Sequence, residues 1–323
     1  MKKIIIFCIL ILISQNIKSQ VKDSLIDGSK HQIYQLSNGE IYTYKKPKLF
    51  DFITKLPKDF TGTVKDIGKK DNLIKLGASA VATIALLPAD QYILEHSRTM
   101  GEKIGLKEVA RYNNFGPLSN VPPNATSGIY LLGNGTTPIL LSIGFATYGL
   151  INNDYRSLNT ASGIIESLAI TGVFSQTIKR ISGRQSPAPA LQDGNSGGEW
   201  NPFPSFKAFA TKTPNYDAFP SGHMMTATSA LYVIMGNYPD IKWIKPIGYT
   251  LIGVLGFEMI QSNVHWASDY PIALAMGYII GKNIANSKMN KSGTKNTENK
   301  KFTYNFNASR AYGFNMIGTN ITF

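Results

Sequence analysis

From about residue 72 to 286 the chain is a succession of long apolar stretches rich in Ala, Gly, Leu and Ile, broken only by Pro and Gly clusters. Stretches of that length with small residues suit buried helices that pack closely, and they suit strands poorly. The pattern predicts helices over roughly 72–97, 135–153, 157–182, 222–237, 245–261 and 266–287. Most fall short of a bilayer span, which needs about 18 to 20 predominantly apolar residues. The run 137–153 carries no charge but contains Gly and polar residues, Glu166 interrupts the third stretch and Glu258 the fifth. With a mean hydropathy of −0.08, the expectation is an all-α bundle over 63–287, soluble or lying against a membrane.

The flanks read differently. Residues 1–19 open with Lys2 and Lys3, run apolar from Ile4 to Ile13 and turn polar toward Ser19, the layout of a signal peptide. That predicts an exported, periplasmic protein, associated with or inserted in a membrane. Cys8, the one cysteine, lies in the leader, so neither a disulfide nor a four-ligand zinc site can hold the mature fold. Removing the leader takes away three lysines and lowers the formal charge from +13 to +10, a balance that favours acidic partners such as phosphates or anionic lipid surfaces. The extension 20–62 contains two β-prone runs around Asn38-Gly39, a hairpin signal. Residues 288–301 read as a polar linker. The tail 302–323 alternates like strands, and it is too short for a barrel of at least about eight strands, so pairing with the N-terminal hairpin is expected.

Chemistry concentrates in three places. Phe219-Pro220-Ser221-Gly222-His223 leads into a helical run, with Ser221 placed as N-cap, so the free N–H groups and positive dipole end create an anion site beside His223. In His265-Trp266-Ala267-Ser268-Asp269 a carboxylate four residues after an imidazole can fix its tautomer and raise its nucleophilicity. Lys179, Arg180 and Arg184 form a basic cluster at a helix end. Each piece alone is as well explained by a capped helix, a buried hydrogen bond or a cation at a helix dipole. Their order and their spacing of 44 and 42 residues make them more than that. Between the basic cluster and His223 lies a Pro/Gly-rich loop, 183–221, whose Trp200, Phe203 and Phe206 suit an apolar lid or, more simply, a structural plug.

Over roughly residues 130–285 this constellation resembles the type 2 phosphatidic acid phosphatase and vanadium haloperoxidase superfamily. Pro220, Ser221, Gly222 and His223 match its second motif in full. His265 and Asp269 match the third, and Lys179 and Pro187 match the first. The resemblance implies an all-helical bundle with the active site at one end. Two motif arginines are replaced, one by Ser186 and one, with its preceding serine, by Glu258-Met259. Arg184, two residues before Ser186, is expected to take over part of the phosphate clamp.

Resemblance and chemistry together imply a metal-independent, cofactor-free phosphatase acting on a phosphate monoester, a lipid phosphate or a lipid pyrophosphate. In it His265 is the nucleophile, Asp269 orients it, and His223 is acid and then base. Lys179, Arg184, Ser221 and the N–H of Gly222 hold the phosphate oxygens. Two alternatives stay open: a phosphate-binding relic of the fold, and a vanadate-dependent haloperoxidase with His265 as axial ligand. A nucleic-acid partner is not expected, because the basic residues of 288–301 lack interleaved aromatics.

Overall fold

The computed structural model describes residues 31–107, 113–115, 118–293, 303–311 and 314–322. The proposed leader therefore lies outside the described residues. The order of elements is β1 (His31–Gln35), β2 (Ile41–Lys45), α1 (Asp51–Thr54), α2 (Leu56–Ile67), α3 (Lys70–Leu86), α4 (Asp90–Lys103), β3 (Asn113–Phe115), β4 (Leu118–Val121), α5 (Ala125–Gly133), α6 (Thr136–Ile151), α7 (Tyr155–Ser182), α8 (Pro187–Asp193), α9 (Phe206–Thr211), α10 (Gly222–Asn237), α11 (Ile244–Gln261), α12 (Tyr270–Ser287), β5 (Asn290–Ser292), β6 (Thr303–Ala311) and β7 (Phe314–Thr322). The protein is a helical bundle with small β additions.

Helices α7, α10 and α12 form its centre. Ile164, Ile170, Met224, Met225, Val233, Met276 and Ile280 bury their side chains together there. Asp154 caps α7 by accepting from the N–H of Ser157, and Gly183 ends it in the left-handed conformation at φ 55°. Only glycine fits at 183, because a Cβ would fall 1.7 Å from the carbonyl oxygen of Asn201.

The apolar run expected over 72–97 is two helices, α3 and α4, joined by a 3₁₀ turn at Leu87–Ala89. Pro88 supplies the interruption, since it has no N–H to continue the ladder. Together Lys70–Lys103 is long and apolar enough to cross a membrane, and its apolar window is almost wholly exposed. Helices α5 and α6 pass the same test only as a pair bent by 74°. Helix α6 buries Pro138, Ser142 and Gly149 and exposes Ile139, Leu140, Ile143, Leu150 and Ile151. Its apolar face points away from the bundle.

The β-prone ends correct two expectations. The hairpin β1–β2 forms, with Tyr34 opposite Tyr42. Its third strand is β5, where Ile41 pairs with Ser292 and Thr43 with Asn290. The tail strands β6 and β7 pair with each other, so the expected pairing of 302–323 with the N-terminal hairpin is not what forms. Residues 288–293, expected as the start of a solvated linker, are part of the fold: Lys288 is buried and pairs with Glu166, with Asp59 Oδ2 3.7 Å away. A lysine in a polar run reads as solvated until the acidic partners, far away in sequence, are seen. Residues 294–301 lie outside the described residues.

Candidate active site

The start of α10 and the turn before α12 meet at one end of the bundle. Ser221 caps α10 by accepting from the N–H of Met224 at 3.3 Å, which leaves the N–H groups of Gly222 and His223 at the helix start. The N–H of Ser221 in turn donates to the carbonyl of Asp269 at 3.1 Å, locking the two segments together. Lys179, in the last turn of α7, is buried, and its Nζ would lie 3.7 Å from a Cβ at Gly222. An ammonium thus stands beside the positive end of a 16-residue helix. That is an anion site in charge and in geometry.

The two histidines converge on it. Nδ1 of His223 lies 3.3 Å from Nε2 of His265. The other nitrogen of His265, Nδ1, is 3.4 Å from Oδ2 of Asp269, close but without hydrogen-bond alignment. Burial, then the neighbouring His265 and Lys179, hold His223 well below the ordinary imidazole range. For Asp269 burial pushes upward, but Arg184, His265 and the N–H of Trp266 outweigh it and keep the carboxyl below its ordinary value. Its Oδ2 accepts the Trp266 N–H at 2.8 Å.

Arg184 is not placed as the sequence led us to expect. Its side chain is fully buried, and all four Nη protons are committed. Nη1 donates to Ser268 Oγ at 2.6 Å and to Asp269 Oδ1 at 2.7 Å. Nη2 donates to Asp90 Oδ2 at 2.7 Å and to the Gly197 carbonyl at 2.9 Å. Of five donors only the buried Nε is unpartnered. Arg184 therefore braces the carboxylate behind His265, and no Nη proton is left over for the phosphate oxygen it was expected to hold. The signal that misled was proximity in sequence to Ser186.

Two further residues at this end, Asp90 and Asp217, escaped the sequence reading, and a third, Glu258, was noticed only as a departure from a motif. Asp90 opens α4, is fully buried and accepts the N–H of Ser268 at 3.0 Å as well as its hydroxyl. Asp217 lies 3.5 Å from Lys179 Nζ and accepts from Ser186 Oγ at 3.4 Å, so the residue that replaces a motif arginine serves a carboxylate. Glu258 is fully buried with neither oxygen hydrogen-bonded, and burial pushes it up to about 7, only partly countered by Ser262 and Gln261. Met259 is fully buried apolar core. In the loop, Phe203 and Phe206 stand out in solvent, 75% and 82% exposed, which makes them no plug. Trp200 stacks near Phe219 and over the Arg184 guanidinium.

An apolar groove of about 940 Å³ lies along the flank of α10. It runs between α6, α10 and α11, with Ala227, Leu231, Trp243 and Leu255 among its walls. At Gly133 the groove and the site touch: a Cβ there would come within 2.7 Å of His223 Cβ and 2.9 Å of a Leu255 methyl. Glycine at 133 is what allows the end of α5 to pack this closely against α10 and α11.

Residues 161–291 match the model of the PAP2 superfamily. A lipid A 1-phosphatase from Porphyromonas gingivalis is 33% identical over 67 residues, which are 20% of this chain and 15% of that protein. A transmembrane PAP2-type phosphatidylglycerolphosphate phosphatase from Bacillus subtilis aligns over 73% of this chain and 94% of its own, at 14% identity and a TM-score of 0.36, too loose a superposition to argue from. The matched segment contains Lys179, Ser221, His223, His265 and Asp269, so the residues gathered at this end of the bundle all lie in the part of the chain that is similar to the PAP2 superfamily.

Proposed function

We propose that the protein is a phosphatase of lipid phosphates working through a phosphohistidine at His265. The observation that carries this is that the anion site with its two facing imidazoles is built on the same helix, α10, that walls an apolar groove, with Gly133 packed between His223 and the groove residue Leu255. A phosphate at the start of α10 and a hydrocarbon tail in the groove satisfy both halves at once. Burying each methylene of such a tail contributes about 0.8 kcal/mol. The 67-residue likeness to a lipid A phosphatase supports the same substrate class.

In the reaction the lone pair on Nε2 of His265 forms a bond to phosphorus, and the bond from phosphorus to the lipid oxygen breaks. His223 delivers a proton to that oxygen. Water then attacks phosphorus, gives a proton to His223, and the N–P electron pair returns to His265. Lys179, the Ser221 hydroxyl and the N–H of Gly222 balance the charge on the phosphoryl oxygens. The 3.3 Å contact between the two rings is one the substrate replaces, since phosphorus on Nε2 needs the space that Nδ1 of His223 now fills. The low proton affinity of His223 is reversed by the same event: a phosphate dianion beside the ring favours its protonated form, which is the form an acid catalyst needs.

The apolar outer faces of α3 and α6 suit insertion at a membrane, on the outer side if residues 1–19 direct export. The test is phosphate release by the purified protein in detergent, with EDTA, from phosphatidic acid, an isoprenyl pyrophosphate and p-nitrophenyl phosphate. Release from the lipids that survives EDTA, with acid-stable absence and base-stable presence of labelled phosphate on the protein that His265→Ala abolishes, is the expected result. A folded protein that releases no phosphate from any of them overturns the reading in favour of a phosphate-binding relic.

A further inference from the structure

The buried cluster behind His265 contains one cation, Arg184, and two carboxylates, Asp269 and Asp90, and all three side chains are completely withdrawn from solvent. The charge count matters. If Arg184 paired with Asp269 alone, guanidinium and carboxylate would cancel, and an imidazolium forming at His265 would face a neutral pair. Asp90 changes that, because it engages the other Nη of the same guanidinium at 2.7 Å and leaves the cluster one negative charge in excess. A buried excess charge is costly unless a counter-charge is near, and the nearest group able to become one is His265, 3.4 Å from Asp269.

Asp90 also fixes position. Its Oδ1 takes the backbone N–H of Ser268, and its Oδ2 the Ser268 hydroxyl, so the carboxylate grips the short turn Ala267–Asp269 that presents Asp269. It reaches there because the 3₁₀ turn at Leu87–Ala89 ends the apolar helix α3 and starts α4 with Asp90 pointing inward. Asp90 lies outside the family-matched residues 161–291.

We infer that Asp90 is a positioning residue for the nucleophile: by occupying half of Arg184 it leaves the charge of Asp269 for the imidazolium of His265. The inference rests on the reading of His265 as nucleophile. The other charged and titratable groups around His265 are His223 on α10, Lys179 on α7 with its partner Asp217, Tyr270 on α12, with its ring 6.4 Å away, and Glu258 on α11, whose charge reaches Tyr270. None of these is among the four acceptors of the Arg184 Nη groups, so Asp90 is the lever that acts through the guanidinium.

The experiment is a pH titration of the ¹⁵N-labelled histidine rings of the full chain in detergent, which has only four histidines, assigned with His265→Gln. It needs no turnover, so its outcome is separate from that of the phosphatase assay. In Asp90→Asn the cluster loses its excess charge, and the midpoint of the His265 signals moves to lower pH than in wild type, by roughly half a unit or more. Asp90→Glu keeps the wild-type midpoint. With an active lipid substrate, Asp90→Asn lowers kcat about tenfold with KM little changed, and Asp90→Glu recovers most of it. A folded Asp90→Asn protein with an unmoved midpoint overturns the inference, as does an equal shift in Asp90→Glu. Asp90→Ser, read in the same way, stands in where the Asn variant does not fold.

Discussion

Helix α12 has a buried triad at each end, and the two have the same composition: one cation and two carboxylates. At its start Arg184 joins Asp90 and Asp269; at its finish Lys288 joins Glu166 and Asp59. The proton balance is opposite. Glu166, pressed by burial and by Asp59 more than Lys288 relieves it, is raised to about 7, whereas Asp269 is held below the ordinary carboxylate range. The donors account for the difference. A guanidinium offers separate, fixed N–H groups to each carboxylate, and the backbone N–H of Trp266 adds another to Asp269. An ammonium is a single point that cannot serve two carboxylates equally, and Asp59 Oδ2 is left without a hydrogen bond. One triad discharges its excess by taking up a proton; the other keeps it and can lend it to a histidine.

The largest way to break this contrast is Asp269→Asn. It removes the charge that the first triad exists to present, and kcat is expected to fall on the order of 10³-fold or more, with KM changing little, as steady-state assays on a lipid phosphate will show. Next is Arg184→Ala, which strands two buried carboxylates. Removing one partner of a buried pair costs about 3–5 kcal/mol, so the melting temperature should drop sharply and activity with it. A variant as stable as wild type would remove the triad from the account.

The second triad is sharpened by pH. The proton affinity of Glu166 is higher folded than unfolded, so its contribution is fully present below about pH 4.5 and is lost as pH rises toward 7. Wild type is expected to lose roughly 2–3 kcal/mol from this group across that window. Glu166→Gln removes the slope and leaves phosphate release unaltered, which denaturant melts at both ends of the window will test. The smallest effect is at Asp217, which competes with phosphate for Lys179. Asp217→Asn should tighten inorganic phosphate binding about three- to tenfold by calorimetry, in keeping with the roughly 1 kcal/mol of a partly exposed ion pair.

What the sequence showed and what it hid divide along chain distance. His223 and Ser221 were legible because a helix cap and the residue it exposes are neighbours, and His265 with Asp269 because four residues bring a carboxylate under a ring. The central helices were legible from their apolar runs. Asp90 was not, since one acidic residue at the end of an apolar stretch says nothing about a serine 178 positions later. Lys288 was misread for the same reason, its partners lying on α7 and α2. The tail was read correctly as strand-forming, but propensity does not name a partner, and the hairpin took β5. Glu258 was noticed as a departure from a motif, without any sign that it would be a buried acid lacking a donor.

The inward-pointing aspartate after the Pro88 break sets a limit on modular exchange. A chimaera that grafts residues 161–291 onto another scaffold would carry both histidines, the lysine and the capped helix, yet its arginine would have one carboxylate where the native chain gives it two. Such a graft inherits the recognisable motifs and loses the carboxylate that Asp90 brings to Arg184, so a portable piece that keeps the buried triad whole begins upstream of residue 90.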